Sequence, residues 1–289
     1  MTRREVANSR WKIRGAVASC TTLVLVGGAG IASAADPLWL PRSEVPAIER
    51  SGFVPTAPTW SVVGTLASSY TTNALFSRDD RRRDVFVEPD ISLRLDGKLT
   101  PDLSYRLYAR SSFEAFARER LGDVAIARFG GRLTQNVAGW RLTANYENRY
   151  DFDGVYRDLG FTSHDVSGSV GRDFTFGSAT LSPLLLLTYR FSDLAEARRY
   201  RFDALLGVEV NLNEKWSVIS TPFIEAFWFT DGLNAGRRDQ IYSASLGLRY
   251  RITDSISLTT SGAYEIRQSN VALRHYRDFT IGPKLDFAF

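Results

Sequence analysis

Arg106, Arg110, Arg128, Arg132 and Arg141 are the residues in this sequence whose type and spacing point most directly to chemistry. A guanidinium is planar, permanently charged and forked, so it takes two oxygens of a carboxylate or phosphate at once. A second set, Asp203, Glu209, Glu225 and Glu265, supplies the opposite sign further along the chain. Both sets fall on the polar side of a two-residue alternation. Facing each other across a lumen, they would set up a transverse field that orients a polar solute. A different chemistry is suggested by Thr162, His164 and Asn148, which are a hydroxyl, an imidazole and an amide. Those types could serve as nucleophile, base and orienting group. A His-x-Ser order is missing, however, and Thr stands where Ser would be expected, so no catalytic residue is assigned. The other histidine, His275, reads as a solvated loop residue. With two histidines and one cysteine, Cys20, the chain has no metal-ligand spacing. No cofactor is expected.

The elements that position these residues are strands. Period-two alternation persists along the chain, and helical spacing does not. In YSASLGLRYRI one face carries Tyr242, Ala244, Leu246, Leu248, Tyr250 and Ile252, and the other carries Ser243, Ser245, Gly247, Arg249 and Arg251. The alternating segments are 59–70, 84–96, 102–114, 123–134, 138–150, 160–173, 178–191, 200–212, 216–229, 240–252, 255–267 and 279–289. Their connections alternate between tight turns (DGKLT, QNVA, TFGSA, NEK, TDS) and longer charged loops such as TTNALFSRDDRRRD and SNVALRHYRD. Hairpin geometry across the turns places Arg110 near Arg128, and Arg106 and Arg132 near Arg141. The expected fold class is all-β: a transmembrane antiparallel up-and-down β-barrel of about twelve strands. Both termini would lie on the tight-turn, periplasmic side. Trp60, Trp140, Trp216, Trp228 and Tyr242 fall on the apolar face, as interfacial girdles require. Pro89, Pro183, Pro222 and Pro283 fall inside these strands, where a missing N–H should force bulges or shift a boundary.

Composition sets further bounds. The 289 residues carry a formal charge of +4, and residues 1–34 hold all of that excess. The remainder balances, so nothing suggests a nucleic-acid partner. Residues 1–34 read as an export signal: a basic stretch, an apolar run, then Ala32-Ser33-Ala34 as a cleavage site. Residues 35–58 hold half of the ten prolines and read as a periplasmic leader or a plug. Residues 59–289 are the barrel. An exported chain without a long apolar helix can still span a membrane as a closed barrel.

The final strand carries a resemblance. Ile281, Leu285, Phe287 and Phe289 alternate and end on Phe, which resembles the last strand of Gram-negative bacterial outer-membrane barrels. The resemblance is porin-like in architecture and names no single family. It implies recognition of that strand by the barrel assembly machinery and its closure against the first strand. It also implies partners in outer-membrane lipid and lipopolysaccharide, whose phosphates Arg81, Arg82 and Arg83 would meet. The expected function is passive diffusion of small polar or anionic solutes through an Arg-lined lumen, by a monomer rather than a trimer. The alternatives are a non-conducting structural or adhesion barrel and an outer-membrane lipid hydrolase.

Overall fold

The computed structural model describes residues 57–289, so the export signal 1–34 and all but the last two residues of the leader 35–58 lie outside the described residues. The strands are β1 (Thr59–Thr71), β2 (Asp84–Lys98), β3 (Leu103–Phe116), β4 (Val124–Val137), β5 (Trp140–Asp153), β6 (Asp158–Gly171), β7 (Phe174–Phe176), β8 (Ala179–Ser192), β9 (Arg199–Asn211), β10 (Trp216–Ser220), β11 (Phe223–Phe229), β12 (Arg238–Arg251), β13 (Ile256–Ser269) and β14 (Tyr276–Ala288). They form one antiparallel sheet that closes into a twelve-strand barrel with two extra short strands. Two crossings account for the extra labels. β7 continues β6 beyond Arg172 and Asp173, and β10 and β11 form one crossing broken at Thr221 and Pro222. β14 closes on β1 from Thr71↔Thr280 to Val63↔Ala288. Val62 and Phe289 then exchange both backbone hydrogen bonds, at 2.7 and 2.8 Å.

The alternation decides which way each side chain points. Leu66, Ile91, Leu133, Leu187, Leu246 and Ile281 are all exposed on the outer surface. In a soluble protein that much exposed apolar surface would be a liability, but in a bilayer it is the contact face. Trp60, Trp140 and Trp216 stand at the tight-turn end of this face, and Trp228, Tyr70 and Tyr242 stand toward the other end. Most of the charged side chains of the strands point inward.

The four in-strand prolines do not shift the register. Pro89, Pro183 and Pro283 each lie where one of two ladders lapses for two residues while the other runs on, and at Thr221 and Pro222 the ladders to β9 and β12 both lapse. At Pro89 the β2–β3 ladder skips Glu88 and Pro89, yet Val87↔Ala115 and Asp90↔Ser112 keep the same register. Pro183 faces the break between β6 and β7, Pro222 lies in the break between β10 and β11, and Pro283 lies in a gap in the β14–β1 seam. Proline lacks one donor only, so at Pro89, Pro183 and Pro283 one neighbour loses its bonds and the other keeps them. The expected bulges are therefore absent at the prolines. The register shift in the barrel lies at Asp151/Phe152, opposite Gly160.

The seam beside Pro283 is tight. A Cβ on Gly282 would sit 2.0 Å from the Ser68 carbonyl oxygen, a backbone atom that cannot swing away. Gly282→Ala is expected to lower the urea midpoint of the refolded barrel by roughly 1–3 kcal/mol in stability, as over-packing does elsewhere. An unchanged midpoint would mean that the seam opens without cost.

Candidate functional site

The interior has two layers. Toward the tight-turn end it is a polar vestibule of about 790 Å³. Its rim includes Arg251, Asp254, Ser255, Ser257, Lys284 and Asp286, and its floor is reached at Arg110, Arg128, Arg149 and Arg201. Among the described residues lining it are eleven cationic side chains and seven carboxylates. The outer half is packed: Phe86, Phe116, Phe227, Phe229, Ile241 and Tyr276 are buried there, together with Arg199, Arg237, Asp239 and Arg267.

Alternation on β2–β5 places the basic set on one wall. Arg106 and Arg132 are direct cross-strand partners, as are Arg110 and Arg128, and Arg128 also faces Arg149 across β4–β5. Guanidinium groups this close would repel one another, and Arg106, Arg110 and Arg128 each have a carboxylate within reach. Arg106 Nε donates to Asp96 Oδ1 at 2.6 Å, Arg110 Nε donates to Asp90 Oδ2 at 2.6 Å, and Arg128 Nε lies 3.5 Å from Glu147 Oε1. Arg132 lines the vestibule beside them. Arg141 departs from the expected grouping. Its cross-strand partner is Asn136, nearer the tight turn, and its fork takes both oxygens of Asp173 at 2.7 and 3.2 Å.

The acidic set is corrected more strongly. The alternation gives each residue its face but not its height in the barrel. Glu209 does line the vestibule, and it accepts from Arg249 Nη1 at 2.9 Å. Asp203 and Glu225 face each other across β9–β11 in the buried layer, with Arg201 Nε 3.0 Å from the first and 3.7 Å from the second. Glu265 accepts from the Tyr276 hydroxyl, also in the buried layer. Bare basic and acidic walls do not face each other here. Charge of both signs is interleaved, with a cationic excess confined to the vestibule.

A third group was not legible as a site. Asp239 takes Arg237 Nη2 at 2.7 Å and is also paired with Arg267. Arg237 lies 4.5 Å over the Phe229 ring, Arg199 lies 5.1 Å over Phe227, and Arg267 lies 5.9 Å over both Phe227 and Tyr276. Cations on aromatic faces and a shared carboxylate form a buried cap. The signal lay in the loop run GRRDQI, where the alternation simply continues outward through Asp239 and Ile241. The first outer loop folds onto this cap: Phe76 packs on Tyr276 at 5.2 Å, and Asn73 Nδ2 donates to the Arg277 carbonyl at 3.1 Å. In the same loop Arg82 pairs with Asp80 and Glu119, and its guanidinium holds the Asp80 carboxyl below its ordinary value.

The polar trio on the outer surface is near in register but separately engaged. Asn148 and His164 are cross-strand partners. His164 Nδ1 shares a 2.7 Å hydrogen bond with the Tyr146 hydroxyl, Asn148 Nδ2 donates to Tyr150 Oη at 3.2 Å, and Thr162 Oγ1 donates to Asp193 Oδ2 at 2.9 Å. No nucleophile–base bond joins Thr162 to His164 in this arrangement.

No family profile matches the sequence, and no curated protein matches it either. Solved structures do match. An outer-membrane channel from Pseudomonas putida F1 superposes with a TM-score of 0.55 at 12% identity, covering 84% of this chain and 100% of that one. An anion-selective porin from Comamonas acidovorans gives a TM-score of 0.44 at 9% identity, covering 81% and 99%. The KdgM porin in complex with oligogalacturonate gives 0.42 at 6% identity, covering 77% and 97%. With its strands closed, its apolar face outward and its charges inward, the chain has the fold of the outer-membrane β-barrel proteins.

Proposed function

We propose that this protein is an outer-membrane channel for passive diffusion of small polar solutes, with a preference for anions. The observation that carries the proposal is the cationic lining of the vestibule, ten arginines and Lys284 against seven acids, in a low-dielectric wall that focuses their field. A forked guanidinium suits a carboxylate or phosphate better than a point charge would. The Pseudomonas putida structure, described as a channel, supports the reading through shared architecture. The assembly machinery would dock the final strand through Ile281, Leu285, Phe287 and Phe289, and lipopolysaccharide phosphates would meet the outer-loop arginines.

Single-channel recording of the refolded protein in a planar bilayer, under a salt gradient, tests this. Steady conductance steps with an anion-selective reversal potential are expected. A folded, heat-modifiable barrel that stays silent would refute conduction. That outcome would favour the second reading, a non-conducting envelope barrel, which the buried layer at Phe227, Asp239 and Arg267 motivates.

A further inference from the structure

The lipid-facing wall is not uniform. On the tight-turn half, Ala144 of β5 and Gly168 of β6 are cross-strand partners, and Leu187 of β8 is the next residue in the same row. Two residues with almost no side chain thus lie side by side in a wall of leucines. The result is an apolar groove of about 570 Å³, bordered by Leu133, Leu142, Val170, Leu185, Leu187 and Phe202.

Directly below the groove, toward the tight turns, stands Arg172. It follows Val170 on the same outward face and is the main departure from the rule that charges point inward. Its guanidinium lies 5.6 Å over the Trp140 ring and 5.1 Å over the Phe174 ring. It also rests 3.6 Å from where a side chain on Gly139 would begin, so the turn glycine leaves that side of the cation uncovered. Among the described residues no carboxylate pairs with Arg172. A cation on the membrane face is costly at mid-depth and cheap at the interface, where it can reach a phosphate. Here it stands in the aromatic girdle at the level of Trp140.

We propose that this face holds one anionic glycerophospholipid of the periplasmic leaflet. Its phosphate sits against Arg172 between Trp140 and Phe174, and an acyl chain lies in the groove over Ala144 and Gly168. Charge decides the occupant. An apolar groove alone would accept any chain, but the unpaired cation at its interfacial end selects a headgroup whose phosphate is not already neutralised by an ammonium. The site faces away from the lumen, so it is independent of conduction.

Native mass spectrometry of the full chain, released from mixed phosphatidylglycerol–phosphatidylethanolamine vesicles, tests the site. Wild type is expected to retain one phosphatidylglycerol. Arg172→Gln is expected to weaken that retention on the order of tenfold and to erase the preference over phosphatidylethanolamine. Gly168→Leu fills the groove, and a Cβ there meets nothing closer than the Thr143 carbonyl at 3.8 Å, so the barrel should fold normally and lose the lipid. A folding check by heat modifiability accompanies both variants. Equal retention by wild type and both variants would overturn the proposal. So would a second copy of the chain in place of lipid, lost on Gly168→Leu, because the groove would then be a subunit contact.

Discussion

Asp239→Ala is expected to cost the barrel about 3–5 kcal/mol of stability, the range for removing one partner of a buried ion pair. The cost lies in what is left behind. Arg237 and Arg267 each keep only 6% of their side-chain surface exposed, and both lean on the same carboxylate. Without it, two buried guanidiniums beside aromatic rings repel each other. Neither can shed its proton, because an arginine stays charged in any protein. Asp239→Asn separates charge from shape. The amide still accepts one hydrogen bond, so part of the loss should be recovered while the charge repulsion remains. Urea titration of the refolded barrel in lipid vesicles reads both variants. A midpoint unchanged in Asp239→Ala would mean that the cap relaxes and admits water. If the cap is the barrier to conduction, the surviving folded fraction of Asp239→Ala should also pass more current than wild type.

The second large effect is on selectivity. Arg110→Ala combined with Arg128→Ala reduces the vestibule from eleven cations against seven acids to nine against seven. That halves the excess among the lining residues, at the floor of the vestibule. The anion-selective reversal potential is therefore expected to fall by about half. Asp90 and Glu147 lose these guanidiniums at the same time, which adds cation affinity in the same place. The Arg110→Lys, Arg128→Lys pair is the control: it keeps both charges and gives up the fork. If anion preference survives in the lysine pair but not in the alanine pair, net charge governs selectivity. If it is lost in both, the planar fork itself contacts the solute. An unchanged reversal potential in the alanine pair would remove these residues from the conduction path.

Much of this architecture was legible because a barrel wall repeats one rule. The segment 84–96 became β2 (Asp84–Lys98), and 178–191 became β8 (Ala179–Ser192), since alternation and turn residues mark both ends. The pairing of Arg110 with Arg128 followed from counting back from the turn. Height and partnership were harder. Asp203 and Glu209 are six residues apart on one face and both are buried, yet only the second borders the vestibule. That difference depends on which loops and aromatics fill the outer half, and alternation carries no information about them. Arg141 escaped its expected neighbours for a similar reason. Its carboxylate, Asp173, stands in the two-residue break before β7, a break created by Pro183 on the facing strand.

The prolines carry a consequence for the dimensions of the cylinder. The diameter and tilt of a barrel are fixed by the number of strands and by their total stagger around the circumference, the shear. Every proline gap here closes in phase: β1 leaves β14 at Ala67↔Lys284 and rejoins it at Tyr70↔Ile281 with nothing gained or lost. The shift at Asp151/Phe152 lies at the outer end of β5, beyond the stretch where β5 and β6 run in even register from Arg141↔Gly171 to Asp151↔Phe161. The prolines therefore leave the shear untouched. They loosen individual seams, while the cross-section of the vestibule is set by strand count and stagger alone.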